Sequence, residues 1–182
     1  NLPEEILTLL ITIYKAMKFL KFTPKPWRDS ETIFLAKPGK ESYKVVESFR
    51  PITLSNYLLK GFERVELWHL ERTHFVEKPM TNMQFAFRKG RSTETALTRT
   101  VHRIERALAR GEQCIGVFLD IKGAFDRLDH TAAMNALKAR GLPETFTRWY
   151  GHYLTNRTTT SHMSGISKTR RLKRGTPQGG VL

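Results

Sequence analysis

Cysteine is nearly absent from this chain: Cys114 is the single thiol in 182 residues. One thiol excludes an internal disulfide framework and any cysteine-rich zinc site. Cys114 lies in an apolar run, so its expected state is a buried thiol in a reducing compartment. The six histidines are scattered and no His-Glu-x-x-His pattern occurs. The N-terminal apolar stretch is broken by Lys15, Lys18 and Lys21, too short and too charged for a membrane span, and it has no signal-peptide cleavage pattern. Internal repeats and low-complexity tracts are missing. Acid is scarce, with 17 Asp+Glu against 31 Lys+Arg and a formal net charge of +14. So basic a balance points to a polyanionic partner, most often nucleic acid, over a merely solvated basic surface. At 40% hydrophobic the chain can build the core of one domain, or one domain with a lobe. It begins at Asn1 and stops in Gly-Gly-Val-Leu, so a fragment of a longer polypeptide is expected.

Against this basic background one stretch keeps its acids, Cys114 to Asp129 (CIGVFLDIKGAFDRLD). The apolar run Cys114–Leu119 predicts a strand buried on both faces and ending on Asp120. A strand that stops on Asp presents a carboxylate where open α/β sheets keep their sites. A lone carboxylate at a core edge is costly unless a cation meets it, so Asp120 reads as one ligand of a Mg²⁺ site. An Asp that caps the following turn fits the same stretch.

Around that centre, Pro3–Leu20 has helical spacing, with Glu4 and Glu5 in the first turn and lysines in the last. Thr23–Trp27 reads as an extended connector because each Pro restricts the residue before it. Thr32–Ala36 and Ser48–Leu54 read as extended segments, joined through a turn at Lys37-Pro-Gly-Lys40. Tyr57 to about Phe75 returns to a helix, with Leu58, Phe62 and Val65 on one face and Gly61 as a weak point. Ser92 or Thr93 caps a helix with Leu97, Val101, Ile104 and Leu108 on one stripe, ended by Gly111. Asp129 caps another through Leu137, and Phe146, Trp149, Tyr150, Tyr153 and Leu154 mark the last. Thr158–Ser164 and Ile166–Leu172 flank Gly165 as a hairpin.

Four further motifs have candidate chemistry. The turn at Lys37-Pro-Gly-Lys40 is no Walker loop, since Phe34 stands where a glycine is needed. With Arg50 on the next segment it offers several cations to a triphosphate, or else a solvent-facing basic hairpin. Arg174-Gly-Thr-Pro-Gln-Gly-Gly180 is either an ordinary turn or a place of close backbone approach to a ligand. Lys168–Arg174 has five cations and no acid, including Arg170, Arg171, Lys173 and Arg174; such a run is a solvated face or a phosphate-binding one. Phe85, Phe87, Arg88, Lys89 and Arg91 mix aromatic and cation as single-strand binding wants, although the aromatics also suit a core.

In order, Lys-Pro-Gly-Lys, Ser-Phe-Arg-Pro-Ile-Thr-Leu, Gln-Phe-Ala-Phe-Arg-Lys-Gly-Arg-Ser-Thr, Phe-Leu-Asp-Ile-Lys-Gly-Ala-Phe-Asp and Gly-Thr-Pro-Gln-Gly-Gly-Val-Leu make a specific set. The chain resembles the reverse transcriptase domain of non-LTR (LINE-type) retrotransposons from Pro3 to Leu182. A maturase or telomerase relative would share the fold, but the spacing of the first two motifs favours the retrotransposon. The resemblance implies an α+β right-hand polymerase, here fingers and an incomplete palm. It implies residues 1–110 as N-terminal helix and fingers, 111–127 as first palm strand and metal motif, and 128–182 as a return to fingers and the start of the Pro-Gln-Gly motif. It implies template RNA, a DNA primer, dNTPs and two Mg²⁺ ions.

Asp120 would be the first catalytic metal ligand and the Ile121 backbone carbonyl a second donor. Phe125 would pack under the sugar and exclude a 2′-hydroxyl. Lys37 and Arg50 would hold the triphosphate. Gln178 and Gly179 would border the nucleotide, and Asp126 would be structural, capping or pairing with Arg127 or a nearby base. The family's second carboxylate motif, its thumb and any endonuclease do not occur in these residues, so the fragment alone is expected to be inactive. Ala86 and Gly180 depart from the pattern, where Gly and Ser are usual. Localisation would be nuclear at the site of integration and cytoplasmic as ribonucleoprotein. The rival expectation is a non-catalytic nucleic-acid-binding remnant of such an element.

Overall fold

The computed structural model describes residues 2–163 and 165–182, with Met163 described by its backbone alone; Ser164, the expected last position of a hairpin strand, lies outside the described residues. The chain divides into two compact units, Asn1–Glu71 with Gly123–Leu182, and Arg72–Lys122. The fold is mixed α+β.

The larger unit is built on helices that the sequence pattern marks well. Helix α1 spans Glu4–Leu20 and closes on Lys21 in the left-handed conformation. After it the connector is not wholly extended: Lys25–Arg28 makes a short helix, α2, with Pro24 at its N-cap. Proline is tolerated there because a first-turn amide has no helical partner anyway. Strand β1 (Asp29–Ala36) pairs antiparallel with β2 (Phe49–Leu54), in a register that sets Leu35 opposite Arg50. Helix α3 runs Tyr57–Arg72, and the expected continuation to Phe75 breaks at Thr73 before α4 (His74–Glu77). The buried face of α3 also differs from expectation. Leu59, Phe62, Glu63, Glu66 and Leu70 point inward, whereas Leu58 and Val65 are exposed. Two acids on the inner face misled the hydropathy pattern. Gly61 sits where a Cβ would stand 2.5 Å from the Tyr14 hydroxyl, which donates to the Leu58 carbonyl (2.6 Å). The weak helix former is therefore a packing requirement between α1 and α3.

Helix α6 is one turn, Ala124–Arg127. In α7 (His130–Ala139) the Asp129 carboxylate accepts from the Ala132 amide at 2.8 Å, as its N-cap position predicts. Helix α8 (Glu144–Thr155) carries the core: Phe146, Trp149, Tyr150, Tyr153 and Leu154 are all buried. Trp149 stacks 6.0 Å from Tyr153 and meets Phe62 edge-on at 4.8 Å. Each such side chain is worth about 1.5–3 kcal/mol of burial, so α8 is the main anchor of this unit. Strands β3 (Thr158–Met163) and β4 (Ile166–Arg171) form the expected hairpin, and β3 pairs parallel with β1, giving the order β2-β1-β3-β4.

In the smaller unit, α5 (Thr93–Ala109) starts with a reciprocal cap between Ser92 and Thr95. The expected strand does not form. Residues 112–121 have no regular structure, and Ile115, Phe118 and Leu119 are 93%, 95% and 92% exposed. Cys114 is exposed too, not a buried thiol. A strand is stabilised by neighbours that pair its backbone and cover its faces, and among the described residues of the smaller unit no other strand is present to do so. No helix among the described residues is long and apolar enough to cross a membrane.

Candidate functional site

The Gly/Pro-rich loop Arg174–Gly180 gave little signal as sequence, yet it is braced along its length. At its start the Gly175 amide donates to the Leu128 carbonyl (2.8 Å), and the Thr176 amide to the Phe125 carbonyl (2.9 Å). The Gly175 carbonyl lies 2.9 Å from His130 Nε2 and accepts from Arg157 Nη1 at 3.4 Å. The Thr176 and Tyr150 hydroxyls share a hydrogen bond of 3.1 Å. In the middle, the Thr53 amide of β2 donates to the Gln178 carbonyl (3.0 Å), so the loop extends the sheet's edge. Just past it, the Val181 amide donates to Glu63 Oε2 (3.0 Å).

Two glycines are required by that course. At Gly175 (φ +85°) a Cβ would stand 2.8 Å from the Phe125 carbonyl oxygen, so the loop and the α6 turn touch backbone to backbone. At Gly179 (φ +124°) a Cβ would stand 3.0 Å from the Thr53 carbonyl oxygen and 3.8 Å from Ile52 Cγ2. Ile52 is two residues along β2 from Arg50, hence on the same face of the strand. The structure therefore brings Arg50, Phe125, Gln178 and Gly179 onto one framework.

The framework rests on buried charge. Glu63 is 1% exposed and Arg157 2%. Burial pushes the Glu63 carboxyl up, against the Val181 amide and the cations of Arg157 and Lys60, which favour its ionised form. Burial pulls Arg157 down, opposed by Tyr153, Tyr150 and Glu63. The Arg157 guanidinium sits 5.5 Å from the Tyr153 ring centroid. Burial also raises the Tyr150 and Tyr153 hydroxyls, which stay protonated and able to donate. Glu63 and Arg157 were missed in the sequence because a single Glu or Arg on a helix or strand end reads as outward-facing, and Tyr150 was read only as a core aromatic. For Glu63 the one available signal is spacing, since Glu63 and Glu66 fall on the Phe62–Leu70 face.

The remaining predicted residues are distributed as follows. Lys37 continues the β1–β2 ladder, its amide donating to the Ser48 carbonyl (2.8 Å), and its Nζ donates to the Glu47 carbonyl (2.8 Å). Arg50 is exposed. Phe125 is partly exposed, and Asp126 is exposed in the single turn of α6. Arg170 and Arg171 lie on exposed β4, at the sheet's other edge, followed by exposed Lys173 and Arg174. Cations there also keep an open edge from pairing with another chain.

In the smaller unit, Arg88 Nη1 donates to the Thr81 carbonyl (2.7 Å) and Arg91 lies over the Phe85 ring at 5.0 Å. These two cations brace their own loop, while Lys89 is exposed. Asp120 and Ile121 belong to this unit and are exposed. A carboxylate and a backbone carbonyl are hard oxygen donors that suit Mg²⁺, an ion commonly held by one or two carboxylates with water and phosphate completing its shell. Among the described residues no group of three or more His, Cys, Asp or Glu gathers to hold a metal. These two donors suit part of the shell of one such ion and do not by themselves account for two ions.

Comparison with known proteins gives the family. A family model described as reverse transcriptase (RNA-dependent DNA polymerase) matches residues 35–182. Over 182 residues the chain is 32% identical to the probable RNA-directed DNA polymerase from transposon BS of Drosophila melanogaster. It is 32% identical to the RNA-directed DNA polymerase from mobile element jockey and 31% identical to the probable RNA-directed DNA polymerase from transposon X-element, both of the same species. Each match covers 100% of this chain and 20% of the relative, so the chain spans about a fifth of the length of the curated relatives it matches.

Proposed function

The chain belongs to the reverse transcriptase (RNA-dependent DNA polymerase) family, among those of non-LTR retrotransposons, and on that premise we propose that it is the fingers and incomplete palm of a polypeptide that copies RNA into DNA. In that parent a primer 3′-hydroxyl attacks the α-phosphate of a dNTP, forming a phosphodiester and releasing pyrophosphate. Mg²⁺, when bound, supplies charge stabilisation at the attacking and leaving oxygens.

The chain's own residues do the rest. Asp120 and the Ile121 carbonyl offer oxygens to the ion. Arg50, joined by Lys37 once its ammonium leaves the Glu47 carbonyl, holds the triphosphate. Phe125 lies under the sugar and reads the absence of the 2′-hydroxyl. Gly179 lets backbone approach the nucleotide, with Gln178 beside it. Lys89, Arg170, Arg171, Lys173 and Arg174 meet the phosphates of template and primer, with Arg88 and Arg91 holding the shape of their loop. The setting is intracellular: cytoplasmic as a ribonucleoprotein, nuclear at integration.

One observation carries this reading. The turn bearing Phe125, the strand bearing Arg50 and the Gln178-Gly179 loop are tied together through backbone hydrogen bonds, Thr176 to Phe125 and Thr53 to Gln178. Three motifs far apart in sequence meet at one place, as a nucleotide pocket requires.

The test is primer extension by the parent polypeptide on an RNA template, with and without Asp120→Asn. Synthesis lost by about a thousandfold, with template affinity unchanged, supports the assignment, because a metal ligand carries several kcal/mol of transition-state stabilisation. Equal loss of synthesis and template binding would make Asp120 structural. Template binding without synthesis in the unaltered parent would favour the nucleic-acid-binding remnant, a reading to which the exposed run before Asp120 lends some weight.

A further inference from the structure

The smaller unit has a groove that none of the roles above uses. It is open, about 700 Å³, and one wall is α5. That wall presents Arg99, Arg103 and Arg106, continued by Arg110 at the helix C-cap, at successive spacings of four, three and four residues. Such spacing places all four within about 40° of one line along the helix. The acids of α5, Glu94 and Glu105, fall roughly 130–150° away around the same helix. Glu112 is the single acid lining the groove, and it is already paired with Arg110 in a fork of 2.6 and 2.9 Å. Arg99 donates to the Asn82 carbonyl at 3.3 Å, which holds the facing loop to the helix. That loop contributes Met83 and Phe85 to the lining, and Phe87 stands 88% exposed nearby in sequence.

We propose that this arginine ridge is a binding groove for the sugar-phosphate backbone of single-stranded RNA. The ridge is about 16 Å long at 1.5 Å of rise per residue, long enough for several consecutive phosphates. Guanidinium forks suit phosphate oxygens, and four in a row with one neutralised leave a net of about three charges for a polyanion. Aromatic and thioether side chains facing the ridge offer stacking to bases, which a duplex hides and a single strand exposes. That the strand is RNA rests on the function proposed above; the phosphate recognition rests on the groove alone.

The test is binding of a labelled single-stranded RNA oligonucleotide to the parent polypeptide, without metal or dNTPs, across a salt series. Two triple variants are compared with the unaltered protein: Arg99→Gln/Arg103→Gln/Arg106→Gln and Arg99→Lys/Arg103→Lys/Arg106→Lys. The glutamine variant should bind about tenfold or more weakly at physiological salt. Its slope of log K against log[salt] should fall by roughly two, at about 0.7 for each phosphate no longer neutralised. The lysine variant should keep most of the slope, and duplex DNA should respond less than RNA. Unchanged affinity and slope in the glutamine variant would overturn the inference. So would equal loss in both variants, which would mean the helix and not its charge matters. Equal loss on RNA and duplex DNA would overturn the single-strand assignment. A parent that extends primers while its glutamine variant binds RNA normally sinks this inference alone. One that binds as expected but makes no DNA sinks only the polymerase reading.

Discussion

Residues 112–121 and residues 174–181 make an instructive pair. The first looks like the better-formed element: an uninterrupted apolar run ending on a carboxylate. The second is glycine, proline and a few polar groups. In the structure the first has no regular structure and its Ile115, Phe118 and Leu119 are exposed, and the second is held by at least seven hydrogen bonds from Phe125, Leu128, His130, Tyr150, Arg157, Thr53 and Glu63. Hydrophobicity marks what a segment needs, which is cover on both faces; it does not supply the cover. A loop whose backbone groups meet partners along its length is fixed regardless of its composition.

The sharpest way to break this comparison is to attack the braced loop. Arg157→Ala leaves Glu63 buried beside a lost cation and the Gly175 carbonyl short of a donor. It should cost about 3–5 kcal/mol, read as a lower urea midpoint for the 182-residue chain. Gly175→Ala puts a methyl into the Phe125 carbonyl at positive φ and should cost about 2–3 kcal/mol in the same assay. Phe118→Ser, in the other segment, should stay within about 0.5 kcal/mol, because nothing covers that ring. A cost of several kcal/mol at Phe118 would mean that the run is packed after all.

The smallest effect concerns pH. His152 accepts from the Thr23 amide, and burial, with Arg28 nearby, lowers its pKa from the ordinary 6.5. The unfolded chain then takes up the proton first as pH falls below 6.5, so stability drops between that value and the lowered one. Glu63, raised by burial, acts oppositely: the folded state keeps its proton longer, so that contribution is lost as pH rises through the raised pKa. His152→Gln should flatten the acid limb of a stability–pH curve and leave the Glu63 limb in place; an unchanged acid limb would assign it elsewhere.

Much of the fold is legible locally. Capping at Ser92 and Asp129, the period of α1, α5 and α8, and the Gly165 hairpin follow from neighbours a few residues apart. The α8 aromatics also identify the core, since a face of Trp and Tyr has nowhere else to go. Illegible are the features set by distant partners. Glu63 and Arg157 are buried because each offsets the other's charge and because Val181 and Gly175 arrive to bond them. Cys114–Leu119 is exposed because the described residues of the smaller unit hold no strand to pair with it. For the site, the motif order marked Phe125, Gln178 and Gly179, but not the residues that hold them.

The central claim is that the loop docked on β2 and on the Phe125 turn forms a deoxynucleotide pocket. Single-nucleotide incorporation by the parent polypeptide, dNTP against rNTP, with and without Phe125→Ala, tests it most directly. The account predicts that ribonucleotide use rises about tenfold or more relative to the deoxynucleotide once the ring is gone. Sugar selectivity unchanged by the substitution, with synthesis intact, would contradict it.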